Sequence, residues 1–186
     1  MDVRSVSAAV ERGGGQRLVP SSWLRECADL LPRGGPALDV ACGTGRHALV
    51  LAAAGYEVHA VDRDAAKIEE LSRSAAQLGM TIAAEVRDLE TGAPDLGRDV
   101  YALIVVVHYL HRPLFPALVQ ALAPRGLLLY ETFTVDQALR GRPTSPDHLL
   151  QHGELRTLLA PLVIERERDG AFDGRMVAAV AARKRC

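Results

Sequence analysis

Lysine is almost missing: Lys67 and Lys184 are the only two in 186 residues, so arginine carries nearly all of the positive charge. With alanine and leucine abundant, that scarcity reads as the codon bias of a GC-rich genome. The arginines are interleaved with Asp and Glu, and the formal net charge is -1. A polyanion binder gathers basic residues into a one-sided stripe. None is present, so nucleic acid is not expected as a partner. Cysteine is scarce as well. Cys27, Cys42 and Cys186 are too few and too unevenly spaced for a disulfide framework or a paired-ligand zinc site. His47, His59, His148 and His152 have no spacing that suggests a metal, and none is expected. No run approaches the roughly 18 apolar residues of a membrane span. Asp2, Arg4, Glu11 and Arg12 interrupt the stretch a signal peptide would need. The expectation is a soluble cytoplasmic protein with reduced thiols and no membrane partner. Oligomeric state leaves no trace in the sequence.

What remains is an ordinary globular composition, 48% hydrophobic and 24% charged, in a length that suits one compact domain. Residues 1–20 hold Gly13-Gly14-Gly15 among charged residues and end in Pro20. They have little to bury, and a flexible arm able to order over a ligand is expected there. Residues 21–186 are expected to form the domain. Trp23, Leu24, Cys27, Leu30 and Leu31 recur at helical spacing until Pro32 and Gly34-Gly35-Pro36 stop them. Short apolar runs then alternate with amphipathic ones. Strands are predicted at 37–41, 56–61 and 81–86, with helices at 46–54 and 64–78 between them. Residues 100–107 form a fourth strand, apolar on both faces as a buried parallel strand requires. A helix at 114–122 and a strand at 127–130 follow. Residues 132–148 are polar and proline-bearing, and read as an insertion over a site. A helix at 147–159 and an antiparallel hairpin, 162–168 and 176–182, close the pattern, with the turn running through Asp169-Gly170 and Asp173-Gly174. This order implies a Rossmann-like, doubly wound α/β sheet with helices on both faces, whose ligand sits beyond the carboxyl ends of the strands.

Asp39-Val40-Ala41-Cys42-Gly43-Thr44-Gly45 occupies such a carboxyl end and opens into a helix. Its glycines permit a tight turn and present backbone N–H groups to a ligand. The spacing Gly43-x-Gly45-x-x-Ala48 alone also satisfies a dinucleotide fingerprint, so the acids nearby decide. Asp39 would repel a pyrophosphate but can meet the ammonium of a methionine-like tail. Asp62, ending the second strand, can accept both hydroxyls of a ribose, and Asp88, after the third, can accept from an adenine amino group. Each also has a structural reading: Asp39 orienting the loop, Asp62 capping the next helix, Asp88 capping a turn.

These motifs, with Val61-Asp62-Arg63-Asp64 and Val86-Arg87-Asp88-Leu89, resemble those of class I S-adenosylmethionine-dependent methyltransferases. The likeness is to the small bacterial group that includes tellurite-resistance and thiopurine methyltransferases. The resemblance runs from about Trp23 onward and implies a seven-stranded, mostly parallel sheet with an antiparallel last strand. It implies S-adenosylmethionine as cofactor, turned over to S-adenosylhomocysteine, and places Asp39, Ala41, Cys42, Gly43 and Gly45 around it. Asp62, Arg63, Asp88, Leu89 and Val107 complete that set. Cys42 then serves as a small buried residue rather than a nucleophile. Ala41 departs from the glycine usual there. No Asn/Asp-Pro-Pro-aromatic motif of nucleobase N-methylation follows the fourth strand.

Two further stretches resemble the same group: Val107-His108-Tyr109-Leu110-His111-Arg112-Pro113, and Tyr130-Glu131-Thr132-Phe133 with Gly141-Arg142-Pro143. Methyl transfer from a sulfonium is an in-line displacement in which alignment and exclusion of water matter most. A hydroxyl or amine acceptor would need a base, and His108 is the best placed; a thiol or chalcogen oxyanion would need only positioning. Tyr109 and Glu131 face the same crevice, and Arg112, Arg140 and Arg142 are candidates to grip an anionic acceptor. Trp23 is expected to wall the acceptor site. The expected function is methyl transfer to a small molecule. An RNA or protein methyltransferase and a non-catalytic cofactor-binding module are alternatives, and a nicotinamide oxidoreductase ranks last.

Overall fold

The computed structural model describes residues 19–92 and 94–186, so the expected arm at 1–20 lies outside the described residues except for Val19 and Pro20. Seven strands form one sheet: β1 (Pro36–Val40), β2 (Glu57–Asp62), β3 (Ile82–Val86), β4 (Tyr101–Val107), β5 (Leu122–Phe133), β6 (Val163–Phe172) and β7 (Arg175–Arg183). Their order is β3-β2-β1-β4-β5-β7-β6. β1 to β5 pair in parallel, and β7 runs antiparallel to both β5 and β6. The chain moves outward in one direction from β1 and in the other from β4, so strand order reverses between these neighbours. Their carboxyl ends, Val40 beside Val106, therefore border the crevice where doubly wound sheets bind ligands.

Helices α1 (Ser22–Glu26), α2 (Arg46–Ala53), α3 (Ala65–Gln77), α4 (Phe115–Ala121) and α5 (Glu154–Leu158) cover both faces. Alternation along the central strand divides the core between them. Leu103 and Val105 pack with Trp23, Leu24, Leu49 and Leu71, whereas Ile104 and Val106 pack with Phe115, Leu118 and Leu155. Burial on both faces explains why β4 is uninterruptedly apolar. Local chemistry sets the helix starts: Ser21 Oγ accepts from Leu24 N at 3.3 Å and Asp64 Oδ1 from Ala66 N at 3.0 Å.

Several boundaries differ from expectation. The helix predicted at 147–159 is reduced to α5 and a 3₁₀ turn, Pro146–His148. Between them Leu150 donates to the Phe133 carbonyl at 2.9 Å and accepts from Val135 N at 3.0 Å, which holds it extended, and Gly153 has φ 75. Asp169-Gly170 continues β6 rather than turning. The hairpin reverses at Asp173 (φ 50) and Gly174 (φ 75), two successive positive values that match strand twist in a two-residue turn. β5 is far longer than 127–130 because β4 extends it at Leu122 and β7 at Phe133. Among the described residues no helix is long and apolar enough to cross a membrane.

Candidate active site

The turn after β1 is built on left-handed residues: Ala41 (φ 52), Gly43 (φ 57) and Gly45 (φ 85). Ala41 adopts the conformation that makes glycine usual there, at a strain of about 1–2 kcal/mol. Gly43 N donates to Asp62 Oδ2 at 2.8 Å, and Cys42 N to the Val61 carbonyl at 3.0 Å, which ties the turn to the end of β2. A Cβ on Gly43 would meet nothing within 4 Å, so open space lies against that backbone. Cys42 is buried, and burial raises its thiol pKa further from ionisation, which fits a packing residue.

Asp39 is 1% exposed, and its Oδ2 accepts from Ala48 N at 2.9 Å. It thereby does from β1 what the α2 N-cap, Gly45, has no side chain to do. Burial, opposed by that bond and by Arg46, pushes its pKa from 3.8 up to about 7. The folded chain thus holds this proton more tightly than the unfolded one. The stability it gains is full below about pH 4 and is lost as pH rises through the folded-state value. Asp39→Asn keeps the acceptor and cannot ionise. It should unfold at a higher temperature than the parent at pH 8 but not at pH 4, and equal unfolding midpoints at pH 8 would refute this account.

A cavity of about 830 Å³ opens beyond these strand ends, within the range of small-molecule sites. One end is lined by Ala41, Gly43, Asp62, Arg63, Asp88 and Leu89. Asp62 spends one lone pair of Oδ2 on Gly43 and one of Oδ1 on Asp64 N at 2.9 Å, so each oxygen can accept once more. The helix cap envisaged for Asp62 is supplied by Asp64 instead. Asp88 Oδ1 accepts from Glu90 N at 2.9 Å, a local turn, while the residue stays exposed on the cavity wall. Arg63 lies 3.6 Å from Glu90 at the rim.

Val107, His108 and Tyr109 form the middle of the wall, and Thr132, Phe133, Arg142 and His148 the far end. His108 (φ 60) donates its N–H to the Glu131 carbonyl at 2.8 Å, and its ring stacks on Phe133 at 4.7 Å. Burial, with Arg175 and Arg46 nearby, pulls its pKa from 6.5 down to about 4, so the imidazole is neutral at physiological pH. Glu131 is buried behind it, Oε1 lying 3.8 Å from His108 Nε2. Burial raises the Glu131 pKa despite hydrogen bonding from Arg168. Tyr109, its pKa raised by burial and by Glu90, is a neutral phenol.

Seven expected site residues do not line the cavity: Asp39, Cys42 and Gly45 belong to β1 and the turn after it, Glu131 is buried beside His108, and Trp23, Arg112 and Arg140 are elsewhere. Trp23 is 1% exposed in the core, its Nε1 donating to the Val180 carbonyl at 3.3 Å; the helical spacing that revealed it is the mark of that burial. Arg112 does not line the cavity. It forks onto Glu154, Nε to Oε1 at 2.6 Å and Nη2 to Oε2 at 3.0 Å, and reaches the Leu149 carbonyl at 2.9 Å. Its guanidinium pins the segment over the site instead of facing an acceptor. Arg140 is exposed away from the cavity, whereas Arg142 lines it. His148 and Phe133 also line it: no motif marks His148, and Phe133 stands in the stretch Tyr130-Glu131-Thr132-Phe133 but was given no role of its own. Among the described residues no three His, Cys, Asp or Glu side chains are grouped to hold a metal.

Residues 37–126, which span the turn, the acids and β4, match the protein family described as a methyltransferase domain. The chain carries a methyltransferase domain of the class I fold. A methyltransferase domain implies a methyl acceptor as the second substrate. The methyltransferase fold is shared with TehB from Haemophilus influenzae, at 16% identity and a TM-score of 0.77 over 97% of this chain and 67% of that one. An S-adenosylmethionine-dependent methyltransferase from Mesorhizobium loti matches at 18% identity and TM-score 0.72, over 90% of this chain and 100% of that one. The N-methyltransferase NodS from Bradyrhizobium japonicum matches at 17% and 0.69, over 89% and 93%. No curated protein matches the methyltransferase in sequence.

Proposed function

We propose that this methyltransferase acts on a small molecule held between the strand tips and the segment 142–148. The observation that carries this is the cavity itself, whose lining brings Arg142, Pro143, Thr144, Ser145 and His148 together with the glycine turn and the strand-end acids. An acceptor there would lie against a segment that Arg112 anchors by donating to the Asp147 and Leu149 carbonyls. The cavity's volume of about 830 Å³ is that of a small-molecule site. The donor set fits the cofactor, with open space at Gly43 and spare acceptor capacity on Asp62. In this reading Gly43 backbone and Tyr109 hold the methionine end, Asp62 the ribose hydroxyls, and Asp88 with Leu89 the adenine. Asp39 supports them by fixing the start of α2, and Arg63 and Val107 border the site.

S-adenosylmethionine supplies an electrophilic methyl group on sulfur. The chain's part is to align the acceptor, keep water out and receive a proton where the acceptor carries one. His108, neutral and cavity-lining, is that receiver, and Arg142 and His148 supply polar contacts to the acceptor. Unpaired thiols at Cys27 and Cys42 agree with a cytoplasmic setting, and the motifs with a bacterial one.

A panel of thiols, selenite, tellurite and small phenols, read by S-adenosylhomocysteine release, tests the acceptor class; turnover confined to RNA or protein would overturn it. Calorimetry should give binding of S-adenosylmethionine and S-adenosylhomocysteine but not of NAD. Asp62→Ala should weaken that binding by about 1–3 kcal/mol, through loss of charged hydrogen bonds and of the brace on Gly43. Unchanged affinity would remove Asp62 from the ribose.

A further inference from the structure

Arg168 lies outside the matched domain region and outside the cavity lining, yet its side chain is only 6% exposed. Strand register explains how it reaches the site. Glu131 on β5 is level with Ala179 on β7, and Ala179 is level with Arg168 on β6. The methyl group between them is small enough for the two long side chains to meet above it. Arg168 Nη2 donates to Glu131 Oε2 and to Ser22 Oγ at 2.9 Å, while Nη1 donates to Glu26 Oε1 at 2.6 Å. The guanidinium carbon lies over the rings of Trp23, 5.0 Å from its centroid, and Phe172, 4.2 Å from its centroid. Its Nε is buried without a hydrogen-bond partner. An apolar pair of similar volume would be as stable as such a buried ion pair or more so, and so stability alone does not account for it. What distinguishes this pair is Glu131: one oxygen is taken by Arg168, and the other is turned to His108 Nε2 at 3.8 Å.

We propose that Arg168 is a positioning residue for methyl transfer, holding the Glu131 carboxylate so that it orients the His108 ring. This rests on the reading of His108 as the proton receiver. Glu131 favours a proton on Nε2, which leaves the lone pair of Nδ1 for the acceptor. When the acceptor's bond to hydrogen breaks, its electron pair stays behind to bond the methyl group and its proton goes to Nδ1. The imidazolium so formed has Glu131 as its counter-charge. Arg46 at the start of α2 and Arg175 on β7 oppose that charge, while Asp173 in the hairpin favours it; Arg168 and Arg46 favour an ionised Glu131, which Asp173 opposes.

The test is an NMR titration of His108 in the full chain with S-adenosylhomocysteine present, assigned with His108→Ala. In the parent the Nε2–H tautomer should dominate. In Arg168→Met, Glu131 loses its partner and shares a proton with His108. The apparent midpoint of the pair should then rise by about one unit and the tautomer preference should fall. Arg168→Lys, which keeps the buried charge but not the fork, should show a smaller shift of the same sign and serves should the Met variant not fold. Ala179→Val, which alters neither charge, should separate the pair and act like Arg168→Met. A tautomer and midpoint unchanged in the folded variants would overturn the proposal. If the midpoint moves but His108→Ala retains normal turnover, the base reading fails and the effect of Arg168 on the ring stands.

Discussion

His108→Ala should slow methyl transfer by about a hundredfold or more where the acceptor must lose a proton, with affinity for S-adenosylhomocysteine changed by less than about twofold. The split arises because His108 meets the cavity through its ring, while its backbone is fixed independently by the Glu131 carbonyl. Removing the imidazole leaves Gly43, Asp62 and Asp88 in place. The sign of the pH dependence follows from a pKa pulled down to about 4 by burial and by Arg175 and Arg46. The base form is present above that value and is lost as pH falls through it. Turnover limited by this group should therefore be flat from about pH 5 to 8 and decline only in acid. Full turnover of the alanine variant with the acceptor found by the screen would exclude the role.

Gly45→Ala should destabilise the fold by about 2–5 kcal/mol and weaken cofactor binding as a secondary effect. Two costs add. At φ 85 an L-residue is strained by about 1–2 kcal/mol. The new Cβ would also stand 2.1 Å from Leu71 Cδ1, and Leu71 is fully buried, so displacing it means overpacking a core site, at about 1–3 kcal/mol. Gly43→Ala is the control. Its φ is also positive, but open space surrounds the added methyl, so it should lose cofactor affinity more than thermal stability. Equal unfolding midpoints for Gly45→Ala and the parent would refute the packing argument.

Most of the sheet was legible because parallel strands buried on both faces leave nearly unbroken apolar runs, as Ile104 to Val107 do. Boundaries set by partners distant in sequence were not legible. The length of β5 depends on β7, and the extended backbone at Leu150 on Phe133. The cavity-lining acids could be read because each ends a strand that the pattern had located. Arg112 misled because its partner, Glu154, is 42 residues away and no local spacing joins them. Arg168 went unnoticed for the same reason: only the register across β7 reveals that it faces Glu131. Trp23 shows a helical spacing that marks burial correctly but does not say against what.

The central position of β7 between β5 and β6 also bears on how the protein is made. β6 leaves the ribosome before the strand that joins it to the sheet, and Arg168 waits on β6 until β7 is complete. A growing chain can form the glycine turn and the acids of β1 to β3 early. The backing of His108 requires the pairing of β5 with β7, a contact of long sequence separation and so a slow one to form. The nascent enzyme is thus expected to acquire its cofactor cradle before its chemistry, and the exposed edge of β5 is the surface most in need of protection during synthesis.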